Sequence, residues 1–271
     1  MIVQAPGADG LACVFTLAQH QALAAQLADA FGNAQFAPPA PREQMLFAVA
    51  HHDSGWAEVD QAPPADAASG LPCSLGQHPL PLLLDVGSRS IALNEAQHPY
   101  CGLLVSLHQA GLYNGRLGLT MAPPAQPPAS AQAALVEAFL ARERSRQRRL
   151  CRHLRAQPAW RAAAAPRALL DNYLLLQFFD RLALYLNLGG GAPLRPALLD
   201  RVPTGPGASA DIAIRPGIDG ITLSPFPFGG DTRVSCSARV VAPQRGATGW
   251  AGRLAAAPTL TQVFYLRRSP P

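Results

Sequence analysis

The chain contains no lysine; all 22 basic side chains among its 271 residues are arginine. That absence removes whole classes of chemistry. There is no P-loop phosphate lysine, no Schiff base to pyridoxal phosphate and no strand lysine of the protein-kinase type. The five cysteines (Cys13, Cys73, Cys101, Cys151, Cys236) are odd in number and scattered, with no C-x-x-C pair, so neither a disulfide framework nor a zinc ribbon is expected. No apolar run approaches the roughly 18–20 residues that span a bilayer. The opening "MIVQAPGADG" has neither the basic start nor the apolar stretch of a signal peptide. These absences lead to the expectation of a soluble, cytoplasmic protein with no membrane partner.

What is present points to a folded domain. A hydrophobic fraction of 49% with 14% charged residues supports a sizeable core, taken as one domain over 1–271. The net charge of +5 accompanies an excess of alanine, proline and arginine that looks like GC-rich codon usage, so it is a weak sign of a nucleic-acid partner.

Periodicity predicts an N-terminal hairpin around "APGADG", then helices over 17–31, up to Gly55, through "YCGLLVSLHQAGLY" and over 134–155. The string "ALLDNYLLLQFFDRLALYLNL" is apolar on nearly every side, the mark of a central buried helix. Residues 62–81 and "MAPPAQPPASAQ" read as loops or linkers. From Asp211 onward, segments such as "RVSCSARVV" alternate with period two. The expected fold is mainly α, a helical core over about 17–187, with a small antiparallel β-sheet. That sheet comes from the N-terminal hairpin and C-terminal strands over about 211–267. The seven arginines from Arg142 to Arg155 read as a solvated cationic face, with phosphate or RNA binding as the alternative.

Each proposed helix carries a titratable residue on its apolar stripe. His20 aligns with Leu23, Ala24, Leu27 and Phe31; His52 with Met45 and Val49; His108 with Leu104, Val105 and Leu112; and Asp180 with Tyr173, Leu176 and Leu184. Asp53 follows His52 at the helix end, where Gly55 lets the chain turn away. A buried Asp180 needs a neutralising partner. Imidazole nitrogens with carboxylate oxygens suit a borderline divalent cation, while a buried His/Asp hydrogen-bond network is the other reading. His51, turned about 100° from His52 on an ideal helix, falls outside the cluster. One carboxylate of Glu58 or Asp60, with Trp56 nearby, is a candidate for orienting a ligand imidazole, and capping and packing are their other role. Arg181 is a candidate for contacting a substrate phosphate or for an internal salt bridge, and Tyr113, Gln177 and Arg116 are further candidates of the same kind.

The order His20, then His52-Asp53, then Asp180 on a late apolar helix resembles the HD superfamily of metal-dependent phosphohydrolases. The strings "HHDSGWAEVD", "LLVSLHQAGLYNGR", "NYLLLQFFDRLALYL" and "SPFPFGG" resemble the domain-of-unknown-function family numbered thirty-eight ninety-one. The first resemblance implies that His20, His52, Asp53 and Asp180 hold one divalent ion (Mn, Mg, Fe, Co, Ni or Zn), with Asp53 also acting on the water proton. His98 and His108 fall where two-metal members place extra histidines, for a second ion or substrate contacts; His108 is the second candidate catalytic residue, and His98, beside Pro99, equally fits a surface position. The function so implied is hydrolysis of a phosphate ester or anhydride of a small molecule. A di-iron oxygenase on the same scaffold and a non-catalytic ligand-binding module are the alternatives.

Overall fold

The computed structural model describes residues 1–118, 130–189, 194–246 and 248–269. A hairpin of β1 (Ile2–Val3) and β2 (Ala12–Phe15) runs directly into helix α1 (Leu17–Ala30). Thr16 fixes the start of α1 through a capping box. Its hydroxyl accepts from Gln19 N at 3.2 Å, and the Gln19 side chain accepts from Thr16 N at 2.8 Å, satisfying amides that a helix start leaves open. Helix α2 (Arg42–His51) ends at the His52-Asp53 doublet and is followed by a 3-10 turn, Ser54–Trp56, and by α3 (Ala57–Gln61).

The segment 62–81, read as a loop, contains a small hairpin of β3 (Ala65–Asp66) and β4 (Leu71–Pro72). Helix α4 (Leu80–Gln97), not anticipated from the sequence, packs along α5 (Pro99–Gly111). The short turn α6 (Gly115–Gly118) precedes α7 (Ser130–Ala156), α8 (Pro158–Arg161) and α9 (Pro166–Leu188). Most of the expected linker, 121–129, lies outside the described residues. Helix α9 buries residues all around its circumference from Leu169 to Asn187, as its unbroken apolar pattern requires. Among the described residues no helix is long and apolar enough to cross a membrane.

The C-terminal part overturns the expected fold class. The molecule is 51% helical and carries a seven-stranded mixed sheet curled into a half-barrel, not a small antiparallel one. Strands β5 (Ala197–Gly205), β6 (Ala208–Gly217), β7 (Gly220–Ser224), β8 (Thr232–Val241) and β9 (Thr259–Arg268), with α10 (Trp250–Ala256) before β9, assemble in the order β1-β2-β8-β9-β7-β6-β5. The N-terminal hairpin does join the C-terminal strands, with Ala12 opposite Val241. The β7–β9 pair is parallel, Ile221 opposite Leu266.

Strand β5 is hard to read from the sequence. Its register with β6 shifts between Leu199 and Val202, where Arg201 adopts a φ of 58°, so its alternation is broken at mid-strand. The inner face of the sheet, including Ile212, Ile214, Leu223, Val234 and Leu266, shares one buried cluster with Leu23 and Leu27 of α1 and Phe178 and Phe179 of α9. Because β8 packs on α1 and β5 on α9, the sheet wraps the two helices that carry His20 and Asp180.

Gly55 serves close packing rather than a turn. A Cβ at this position would lie 2.0 Å from the Val86 carbonyl oxygen and 2.8 Å from Ser90 N, both on α4. The chain enters this contact through a hydrogen bond from Gly55 N to Ser90 Oγ, 2.9 Å. Gly55→Ala must therefore push the doublet segment off α4. The expected outcome is a loss of about 2–3 kcal/mol, in the range of overpacked cores, seen as a Tm lower by at least about 4 °C in a thermal melt. An unchanged Tm would refute this packing.

Candidate metal centre

Four elements bring five titratable side chains to one place. His20 comes from α1, His52 and Asp53 from the end of α2, His108 from α5 and Asp180 from α9. His20 Nε2 lies 3.1 Å from Asp180 Oδ1. His52 Nε2 lies 3.6 Å from both Asp180 Oδ1 and Asp53 Oδ2. The His52 ring stands edge-on to both other imidazoles, with centroids 5.5 Å from His20 and 5.1 Å from His108. Two overlapping groups, His20/His52/Asp53 and His52/His108/Asp180, each present ligand atoms within 4.8 Å of one another. The three histidines and Asp180 are buried, while the Asp53 side chain keeps 13% of its surface in solvent and is the most open of the five.

The doublet works because the helix ends inside it. His52 still has helical angles (φ −61°, ψ −24°), whereas Asp53 departs to φ −117°, ψ 19°. Consecutive helical side chains diverge by about 100°, and this departure leaves Asp53 Oδ2 3.6 Å from His52 Nε2. Gln21, next to His20 on α1, accepts from Asp53 N at 3.0 Å and pins the departing backbone. Gln109 Nε2 donates to Asp53 Oδ1 and to the His52 carbonyl, both at 3.1 Å.

Partners on the far side of each ring set the tautomers. His52 Nδ1 lies 2.7 Å from the Val49 carbonyl oxygen; a carbonyl only accepts, so Nδ1 carries a hydrogen and Nε2 is the free position of the neutral ring. His20 Nδ1 donates in the same way to Asn187 Oδ1 at 3.0 Å. Gln177 Nε2 donates to His108 Nδ1 at 2.6 Å, which leaves the hydrogen of the neutral His108 ring on Nε2. The outer hydrogen bonds of His20 and His52, in which Nδ1 donates, are of the kind that orients imidazoles for ligation.

The charges are strongly coupled. Burial alone would push the His52 imidazole down, but the carboxylates of Asp53 and Asp180 outweigh it and raise it to about 9. Burial holds His108 down at about 4. Burial also opposes ionisation of Asp180, yet the hydrogen bond to His20 and the adjacent His52 and His108 imidazoles keep the carboxyl well below the ordinary range.

These residues fit a divalent ion. Imidazole nitrogen and carboxylate oxygen are the donor types such ions take. His52 Nε2 is buried and makes no hydrogen bond, although it points at two carboxylates. Among the described residues, Asp180 has no arginine within ion-pair distance, only His20 and His52.

Other expected residues stand apart. His98 caps α5, accepting from Tyr100 N through Nδ1 at 3.0 Å, and its ring lies on Trp160, 4.3 Å between centroids. His51 is exposed and contacts Ser54 at 3.3 Å. Glu58 pairs with Arg89 at 2.6 Å, Asp60 with the Met1 amino group at 3.0 Å, and Trp56 packs on His78. None of these three orients a ligand imidazole. Arg181 is held by Asp200 at 2.7 Å.

The orienting residues that sequence reasoning passed over are Asn187, Gln109 and Gln21. Their signal was an amide on a buried apolar face, which needs a polar partner as much as a carboxylate does. Arg116 differs from Arg181. It is half-buried, adopts a left-handed backbone (φ 53°, ψ 54°) and makes no ion pair or hydrogen bond through its guanidinium with the described residues, while feeling the charges of Asp180 and Asp200. Beside it Tyr173 has a buried hydroxyl without a hydrogen-bond partner.

No curated protein and no solved structure matches the chain. A family model described as "Protein of unknown function (DUF3891)" matches residues 1–243. That span runs from β1 through β8 and includes every residue of the centre, and the chain belongs to the DUF3891 family.

Proposed function

We propose that the protein is a metal-dependent hydrolase of a phosphate ester or anhydride, with the metal held by His20, His52, Asp53 and Asp180. The observation that carries this reading is His52, whose Nδ1 is committed to a carbonyl and whose Nε2, without a hydrogen bond, faces Asp53 and Asp180 at 3.6 Å. A neutral ring in that position sets a lone pair against two carboxylates, and a cation relieves the conflict. The order of these residues also resembles the HD superfamily, whose members use this ligand sequence for phosphate hydrolysis.

A divalent ion supplies such a site with charge stabilisation for a phosphoryl group and with water acidified towards neutral pH. The chain's own residues supply the rest. Asp53, the carboxylate nearest solvent, accepts the proton of the attacking water. His108, neutral and held by Gln177, is placed as a second proton carrier or as a ligand for a second ion. The unpaired Arg116 guanidinium and the Tyr173 hydroxyl lie on the Asp180 side and offer donors to the anionic oxygens of a substrate.

A di-iron oxygenase would use the second group, His52, His108 and Asp180, and two bound irons per chain would favour it. Absence of metal would leave a ligand-binding module built on a hydrogen-bond network.

Asp53→Ala and Asp180→Ala are each expected to abolish stoichiometric metal in protein purified without chelator, while His51→Ala keeps it. Elemental analysis decides, and metal retained in both aspartate variants would sink the proposal. Chelation of the wild-type protein should remove phosphatase activity against a panel of nucleotides and phosphosugars, and added Mn²⁺ or Co²⁺ should restore it. Arg116→Gln should keep full metal content but lose about tenfold or more in kcat/KM, the size of a charged hydrogen bond. Unchanged kinetics would remove Arg116 from the substrate site.

A further inference from the structure

A groove of about 690 Å³ opens between α5, α7 and α9, within the range of small-molecule sites. Its floor is apolar, formed by Leu103, Leu107, Leu169 and Leu170. Its rim includes Arg144, Arg148 and Arg152 of α7. Steps of four residues put these three on one helix face, each about 6 Å further along the axis.

The arginines of α7 divide into two sets. Arg142, Arg146 and Arg149 pair with Glu143 or Glu95 at 2.5–3.3 Å, and Arg155 donates to the Ala164 carbonyl at 2.8 Å. Arg144, Arg148 and Arg152 make no ion pair or hydrogen bond with any described residue. The segments outside the described residues contain no Asp or Glu, and no carboxylate lines the groove. Like charges at i and i+4 disfavour a helix. The chain thus keeps three mutually repelling guanidiniums beside an apolar concavity and, among the described residues, provides no internal partner for them.

We infer that this groove binds one single-chain amphiphile with an oxyanion head, its chain on the leucine floor and its head across Arg144, Arg148 and Arg152. Guanidinium forks match the planar oxygens of carboxylate or phosphate bidentately, and the floor gains by covering apolar surface. A single-stranded nucleic acid would call for aromatic faces interleaved with the arginines, and the one aromatic among the lining residues, Tyr173, comes from α9 and not from the arginine-bearing helix. A groove flanked by three helices, with its guanidiniums in a row along one side, is shaped for one monomeric chain rather than for a bilayer. None of the five residues of the metal centre lines the groove, and of its lining only Tyr173 also stands near the proposed substrate, so the inference, carried by the arginines and leucines, does not depend on the proposed hydrolysis.

The test is calorimetric titration of the full-length protein with dodecyl phosphate and with dodecanoate, below their micelle concentrations, against dodecanol and inorganic phosphate. Saturable one-to-one binding is expected for the phosphate, the carboxylate or both, and these two arms identify the head group. Dodecanol and inorganic phosphate should each bind at least about tenfold more weakly, the loss of one charged contact. The variant Arg144→Gln/Arg148→Gln/Arg152→Gln, with helicity checked by circular dichroism, should lose the same factor, and Leu170→Gln should weaken binding as well. If the triple variant does not fold, Arg148→Gln alone and the salt dependence of wild-type binding report the same contact. Equal binding of dodecanol, equal binding of inorganic phosphate, unchanged affinity in the arginine variants, or uptake only onto phospholipid vesicles would each overturn the inference.

Discussion

Asp180 is a carboxylate fixed on a helix buried on all sides, and the architecture around it follows from the need to compensate that charge. Isolating an ionised carboxylate from water costs several kcal/mol unless partners return it. A chain without lysine has few ways to do so, and Arg181, the neighbouring arginine, is turned to Asp200 instead. The compensation therefore falls to imidazoles from two other helices, His20 of α1 and His52 at the end of α2. Their approach to α9 brings α1, α2 and α9 into register with one another, and His108 on α5 closes the group from the remaining side.

The curled sheet makes this arrangement rigid. It backs α1 through β8 and α9 through β5, so its curvature governs how far apart His20 and Asp180 stand. A polar chain ties the two layers at the site itself. Asn187 takes the Nδ1 hydrogen of His20, Gln4 of the N-terminal segment donates to the Asn187 carbonyl at 2.5 Å, and Gln262 of β9 exchanges hydrogen bonds with Gln4 at 3.2 Å. An imidazole oriented by a helix that is itself oriented by a strand cannot reorient without moving the sheet. Tight ligand geometry needs that kind of support.

The amino-acid sequence shows the inner residues of this site more clearly than their supports. His20, His52, His108 and Asp180 each lie on an apolar stripe at helical spacing, and a polar group there has to meet another polar group; the convergence follows from four helices sharing one core. Asn187, Gln109 and Gln21 lie on buried faces too, but amides carry no charge whose burial demands a partner as forcefully, so they read as ordinary helix residues. The fold was legible in α1, α2, α5, α7 and α9 and in the β2–β8 pairing. It was not legible in β5, where a bulge at Arg201 breaks the alternation, nor in the parallel β7–β9 pair, whose register depends on contacts distant in sequence. Helix α4 opens with "LPLLLD", a run of apolar residues behind a proline that gives no clean helical period at its start. Gly55 was legible as a special position but for a different reason, since only its packing on α4 reveals why a side chain is excluded.

The proposed ion-bound form of the centre need not differ in fold from the free one. With no ion, Asp53 and Asp180 favour the protonated His52 ring, which places a positive charge between two negative ones. A divalent ion held by the proposed ligands would compete with that proton, so metal and proton would be alternative solutions to one electrostatic conflict. Small metal-dependent domains collapse without their ion because little else holds them. Here one apolar cluster extends from Ile2 to Leu266 through helices and sheet alike, and it carries the fold whichever cation occupies the centre. On the proposed reading an ion would serve the chemistry of the site, where Asp53 is the most open of the five, its side chain 13% exposed against 10% for Asp180.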